Sequence, residues 1–212
     1  MNFSFLPKYY KFFLSGTGYT LLLSALTVIF GLFGGLALAL MKTSKNKVLK
    51  SIAVAYIEFI RGTPLLIQLY IVYYGISNLP MLTAGVIAMS VNSAAYIAEI
   101  IRAGIGAVDK GQMEAARSLG MPVFLTYKEI IIPQALKNIL PALGNEFIVL
   151  IKESAIVSVI GIHDLMYNTD TIRGITFIAF EPLVIAAAVY FCLTFTLSKV
   201  MQRFERRMHV GD

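Results

Sequence analysis

The chain has 212 residues, 58% hydrophobic and only 14% charged, where a water-soluble domain carries about a quarter charged residues. That deficit, with a mean hydropathy of +0.75, excludes an ordinary soluble fold and points to lipid as the solvent, and the length fits a single membrane domain over residues 1–212. The net charge of +6 would suit nucleic acid or a membrane surface, but Lys and Arg gather between apolar runs and at the C-terminus, leaving no basic stripe for nucleic acid.

Residues 1–15 are aromatic and broken by Pro7, Lys8 and Lys11. They do not read as a cleaved signal peptide, because the long apolar run comes later and exceeds a signal core. The segment predicts a short amphipathic helix in the interface. A bilayer core needs about 20 mostly apolar helical residues. Five segments qualify, at about 17–41, 51–76, 81–103, 139–160 and 177–200. Lipid offers the backbone no hydrogen-bond partners, so an all-α membrane protein with about five transmembrane helices is expected. Strand alternation, which a barrel would need, is absent.

Within the first span, Gly31 and Gly35 form a small-residue pair for close helix packing, inside the subunit or against a partner. Gly62 and Pro64 interrupt the second span. Cys192, the one cysteine, lies in the last span and reads as a small buried hydrophobe, with no disulfide and no Cys metal cluster available.

Orientation follows from the basic residues. Lys42, Lys45, Lys47 and Lys50 follow span one; Lys110, Arg117, Lys128 and Lys137 follow span three; Lys199, Arg203, Arg206 and Arg207 end the chain. Alternating spans put all three groups on one side, which the positive-inside rule makes cytoplasmic. The N-terminus is then outside and the C-terminus inside, in a multi-pass membrane protein.

The connection between spans three and four, residues 109–125 and onward, predicts a short helix over 112–119, a stop at Gly120, and a new helix after Pro122. A short helix across the cytoplasmic face is shaped to dock into a groove on another protein.

These residues carry a resemblance. Glu114-Ala115-Ala116, then Gly120, then Ile130-x-Ile132-Pro133 reproduces the loop motif of importer permeases of ATP-binding-cassette (ABC) transporters, with Ile for Leu at one position. Glu58-x-x-Arg61-Gly62-Thr63-Pro64-Leu65-Leu66-x-Gln68 and Ser93-Ala-Ala-Tyr96-x-Ala-Glu99-x-x-Arg102-x-Gly104-Ile105 resemble the polar-amino-acid branch (His, Arg, Lys, Gln, Glu, opine). Gly16 with Thr20, and Gly111-Gln112, fit as well, so the likeness covers nearly the whole chain. One departure is Lys152-Glu153-Ser154-Ala155, where that branch commonly has Lys-Asp-Thr-Ser.

The resemblance implies the MetI-like permease fold, with Glu114, Ala115, Ala116 and Gly120 forming the coupling-helix contact to an ATPase. It also implies two cytoplasmic ATPase subunits, a second permease identical or related, an extracytoplasmic solute-binding protein and an amino-acid cargo. ATP and Mg would be bound by the ATPase, with no cofactor in this chain. The residues agree, since no glycine-rich phosphate loop, nucleophile–base constellation or metal ligand set is visible.

Ionisable residues in lipid are expensive and usually face a bundle interior or an aqueous path. Glu58 and Arg61 are three apart in span two, as are Glu99 and Arg102 in span three. Asn92, Tyr96 and Glu99 share one helical stripe, and Glu153 lies deep in span four. These seven are the candidate cargo-binding residues; the alternative is that the two Glu–Arg pairs neutralise themselves and fix packing. Glu58, Glu99 and Glu153 outnumber Arg61 and Arg102 by one charge, which favours a basic cargo. His163 and Asp164 read as solvated residues of an outer loop. Two other classes remain open on the residues alone, an ion-coupled carrier or channel and a non-transporting scaffold.

Overall fold

A computed structural model describes residues 1–209; the last three residues of the expected domain lie outside it. The described residues form nine α-helices: α1 (Leu6–Thr43), α2 (Lys47–Arg61), α3 (Leu65–Gly75), α4 (Met81–Gly106), α5 (Lys110–Ser118), α6 (Val123–Thr126), α7 (Ile132–Glu153), α8 (Leu165–Thr176) and α9 (Glu181–His209). A π-turn (Tyr127–Ile131) precedes α7 and a 3-10 segment (Ser154–Ile160) follows it.

The centre is α4, whose apolar window is 72% buried. Its buried face is built of small residues, among them Ala84, Gly85, Ala88, Ser93, Ala94, Ala98 and Gly104. Against it lies α1, which turns Thr20, Leu23, Ser24, Thr27, Gly31, Gly35 and Ala39 inward. Small side chains on both helices let the backbones approach and gain dispersion contacts, the main attraction between helices in lipid. The Gly31–Gly35 pair therefore packs inside the subunit. A Cβ on Gly31 would stand 3.2 Å from Ser93 Cβ, and one on Gly35 2.6 Å from Ile97 Cγ2.

Three apolar clusters form, two along this pair and one on α1 away from α4. Leu23, Leu69, Met89, Leu150 and Val157 form one; Ile57, Ile60, Ile97, Ala98 and Ile139 form the next. Phe5, Phe13, Leu165, Ile172 and Ala186 form a third, where α8 meets α1 and α9.

Several expectations change. Residues 6–15 are not a separate interfacial helix but the first turns of α1, because Pro7 suits a helix start and nothing after it breaks the helix. At 1.5 Å per residue, 38 residues span roughly 57 Å, well beyond a bilayer core. The interruption expected in the second span is there as a sharp break: α2 and α3 meet at 106° across Gly62–Pro64. Pro64 cannot donate to the helix before it, and a Cβ on Gly62 would come 2.9 Å from Glu58 O.

Among the described residues three helices, α1, α4 and α9, are long and apolar enough to cross a membrane, or four spans if the bent pair counts as one. Helix α7 fills the place of the expected fourth span, but it carries Lys137, Glu146, Lys152 and Glu153, so composition alone does not mark it.

Asp164 is fully buried rather than solvated. It caps α8, accepting from Tyr167 N at 2.9 Å, and burial pushes its carboxyl up to about 6 although backbone donors pull the other way. It is buried because Gly16 of α1 lets the start of α8 press close: a Cβ there would lie 2.7 Å from Leu165 Cα. His163 stays exposed and stacks on Tyr167. Cys192 is exposed rather than buried, on an apolar groove between α1 and α9. Only 6% of the apolar window of α9 is buried in the subunit, so most of that helix is left for lipid or another chain.

Candidate functional site

The α2–α3 break positions the first group of polar residues. A helix end leaves backbone carbonyls without partners, and here Gln68 supplies them. Its Nε2 lies 2.8 Å from Ile60 O, 3.1 Å from Thr63 O and 2.9 Å from Thr63 Oγ1. Its Oε1 accepts from Asn92 Nδ2 at 3.0 Å. Both side chains are buried, so each relies on the other and on the break. One turn along α4 from Asn92, Tyr96 faces the end of α2, and the Arg61 guanidinium sits 5.4 Å from its ring centroid. Arg61 and Tyr96 are both exposed, beside the break.

Glu58 and Arg61 do not form the expected pair among the described residues; the cation turns to the Tyr96 ring and Glu58 faces outward. Glu99 and Arg102 do pair, at 3.0 Å. The other oxygen of Glu99 takes Lys42 of α1 at 2.5 Å, so both carboxylate oxygens are engaged. Glu153, at the last turn of α7, is exposed.

Seven residues expected in one cluster thus fall into three places. Arg61, Asn92 and Tyr96 gather at the break with Glu58 nearby; Glu99 and Arg102 lie further along α4; Glu153 ends α7.

Three residues escaped the sequence reading. Gln68 was visible only as a motif position. Lys42 had been counted toward orientation, since its partner lies 57 residues away. Glu146 is a carboxylate inside α7 that accepts from Ser93 Oγ of α4 at 2.9 Å; its signal was an ionisable residue in an apolar span. Adding Lys42 and Glu146 to the charge count leaves the excess of one negative charge unchanged.

On the opposite side of the α4 terminus, the loop takes the expected form. Asp109 caps α5 through Gly111 N at 2.6 Å. Gly120 adopts a left-handed φ of +81°, which closes the helix with Met121 N bonding Ala116 O at 3.0 Å. Arg117 Nη1 holds Met121 O at 2.8 Å, and Pro122 starts α6. Ala116 packs inward, while Glu114, Ala115 and Gly120 are exposed. Around the turn, Leu119 is 88% and Phe124 79% exposed, two apolar side chains left uncovered among the described residues.

Residues 27–210 match the family of binding-protein-dependent transport system inner membrane components. The chain belongs to that family. It is a permease subunit of the ABC type, a non-catalytic membrane component of its transporter. A putative glutamine transport system permease protein of Rickettsia conorii is 46% identical across 99% of this chain and 100% of its own length. The arginine transport system permease protein of Bacillus subtilis is 43% identical across 100% and 99%. A crystal structure of an amino acid ABC transporter with histidines superposes with a TM-score of 0.93 at 55% identity, covering 98% of this chain and 100% of that one. An inward-facing methionine ABC transporter gives a TM-score of 0.79 at 19% identity, a likeness of fold.

Among the described residues no group of three His, Cys, Asp or Glu side chains is placed to hold a metal.

Proposed function

We propose that this permease carries amino acids, basic ones in preference, by alternating access driven by two ATPase subunits docked on α5. The observation that carries the reading is the Gly120 turn: a capped nine-residue helix ends in a left-handed glycine flanked by exposed Leu119 and Phe124. Two large apolar side chains exposed on a loop outside the apolar spans support a protein contact there, and Glu114, Ala115, Ala116 and Gly120 would form it. The orientation supported by the basic residues puts this loop and the C-terminus in the cytoplasm and the N-terminus outside.

A second permease, the same chain or a related one, would cover apolar surface that α1 and α9 leave open, with lipid on the rest. A solute-binding protein would deliver cargo from outside. The amino-acid cargo is supported by the relatives named above. The preference for basic cargo rests on charge: Glu99 is already neutralised, whereas Glu58 and Glu146 form none of the described ion pairs and Glu153 has only the neighbouring Lys152 near it. A cationic side chain would offset the negative charge left over, along a path lined by Glu58, Arg61, Asn92, Tyr96 and Glu153. Glu99 and Arg102, paired with each other and with Lys42, would hold α4 outside that path.

The test is to purify the chain with its ATPase and measure hydrolysis against a panel of amino acids, with and without the outside binding protein. Co-purification and cargo-stimulated hydrolysis are expected, with Glu153→Gln losing the preference for basic over neutral cargo. Uptake that proceeds without ATP would refute the reading; an unchanged preference in Glu153→Gln would remove the charge argument.

A further inference from the structure

We infer that Lys42 is a positioning residue of the transport cycle, the ionic link that passes motion of α4 to α1 and α2. The inference rests on the reading of α5 as the ATPase contact. Only residues 107–109 separate α4 from α5, and the linker stays bonded to the helix end: Ala107 N donates to Ala103 O at 2.9 Å and Val108 N to Ile105 O at 3.3 Å. A push on α5 is therefore delivered to α4. Glu99 lies seven residues before the end of α4, roughly 10 Å from it.

What α4 does with that push depends on its hold on its neighbours. Its main face against α1 is closely packed, with the Ser93, Ala94 and Ile97 side chains seated on Gly31, Gly34 and Gly35. Those contacts hold the two helices together by dispersion, which is short-range and non-directional. At the cytoplasmic end the contact changes character. Lys42, in the last turn of α1, reaches Glu99 Oε1 at 2.5 Å, and both side chains are largely covered, at 22% and 18% exposure. A charge-assisted bond in a partly dry site is directional and strong for its size. It fastens the end of α1 to α4.

The fastening leads somewhere. Residues 44–46 join α1 to α2, and the Asn46 side chain caps α2 through Val48 N at 2.9 Å. At its far end α2 stops at the 106° break, where Arg61 lies over Tyr96. Moving the end of α1 therefore moves the helix that ends at the proposed cargo path.

Arg102 cannot do this work. It binds the same carboxylate at 3.0 Å, but from α4 itself, three residues on. Its effect is to aim Glu99, whereas Lys42 joins residues 57 apart in the chain. This contrast separates a mechanical link from simple charge neutralisation.

The experiment uses the whole complex with its ATPase and binding protein in liposomes, reading ATP hydrolysed and cargo taken up together. For Lys42→Met the expected result is assembly and basal hydrolysis within about twofold of wild type, with uptake per ATP reduced at least fivefold. Arg102→Gln should keep uptake per ATP within about twofold. The exchange Lys42→Glu with Glu99→Lys, made together with Arg102→Gln so that two cations do not meet three residues apart on α4, keeps the ion pair with its ends reversed and should recover at least half of the lost coupling. Where Lys42→Met does not assemble, the exchange decides: recovered assembly and coupling support the link, and unrecovered ones overturn it. Wild-type uptake per ATP in Lys42→Met, or an equal loss in Arg102→Gln, overturns it as well. A wild-type complex without ATP-driven uptake would sink the functional reading itself, and the link with it.

Discussion

Replacing Gln68 by Leu tests whether one side chain holds the α2–α3 break together. In the native chain its amide satisfies the Ile60 and Thr63 carbonyls and receives Asn92, in a site where Gln68 and Asn92 are each 6% exposed. Leucine is close in volume, so packing changes little and the polar loss dominates. The substitution deprives the Thr63 carbonyl and the Asn92 amide of this partner and leaves Ile60 O with only a 3.5 Å bond from Thr63 Oγ1. A buried unsatisfied group costs about 1–3 kcal/mol, which sets an upper range of roughly 3–9 kcal/mol for three groups. Polar bonds between helices in lipid measure only about 0.6 kcal/mol on average, because the unfolded chain in the membrane also finds partners. The carbonyls at the break can also recruit water from its exposed edge. These offsets bring the expected destabilisation to about 2–4 kcal/mol. Denaturant unfolding in mixed micelles would read it, with Asn92→Leu and the double variant completing a cycle. The double variant should cost less than the sum of the singles, since it removes both partners of one bond. A Gln68→Leu protein within about 0.5 kcal/mol of wild type would refute the view that the break needs this side chain.

Gly35→Ala should cost about 1–3 kcal/mol by overpacking, because the new methyl lies 2.6 Å from Ile97 Cγ2. Gly18→Ala in the same helix meets nothing within 4 Å, and should be neutral or gain up to about 1 kcal/mol in helix propensity; the same unfolding assay compares them. Asp164 sets a pH dependence. An acid raised from 3.8 to about 6 adds stability that is full below pH 3.8 and lost as pH rises through 6, a swing of about 3 kcal/mol. Asp164→Asn, which keeps an oxygen for the α8 cap, should flatten melting temperature against pH between 4 and 6 and melt no lower than wild type at pH 7.5. Gly120→Val forces a β-branched residue to a φ of +81° and should reduce ATPase co-purification at least tenfold while the permease still inserts, read by quantitative pull-down.

The sequence alone determined the helical class, the approximate places of the apolar segments, the break at Gly62–Pro64 and the turn at Gly120. Each is a local matter. In lipid the backbone must bond within its own helix, so apolar length marks where helices run, and Pro and Gly mark where they stop. The loop motif was legible for the same reason, since its residues are close in the chain and their spacing is their geometry. The polar residues of the candidate site were legible as types but not as partners.

Tertiary structure decided those partners. Spacing put Arg61 with Glu58, yet the fold brings the Tyr96 ring over from another helix. Spacing paired Glu99 with Arg102, yet the second oxygen goes to Lys42, 57 residues earlier. Asp164 read as a solvated loop residue until the missing Cβ of Gly16 let α8 settle onto α1 and shut it in. Cys192 looked buried because apolar surroundings in the sequence cannot tell a protein interior from lipid. Charge partners, burial and exposure are set by surfaces that distant segments present to one another, and no local pattern carries that information.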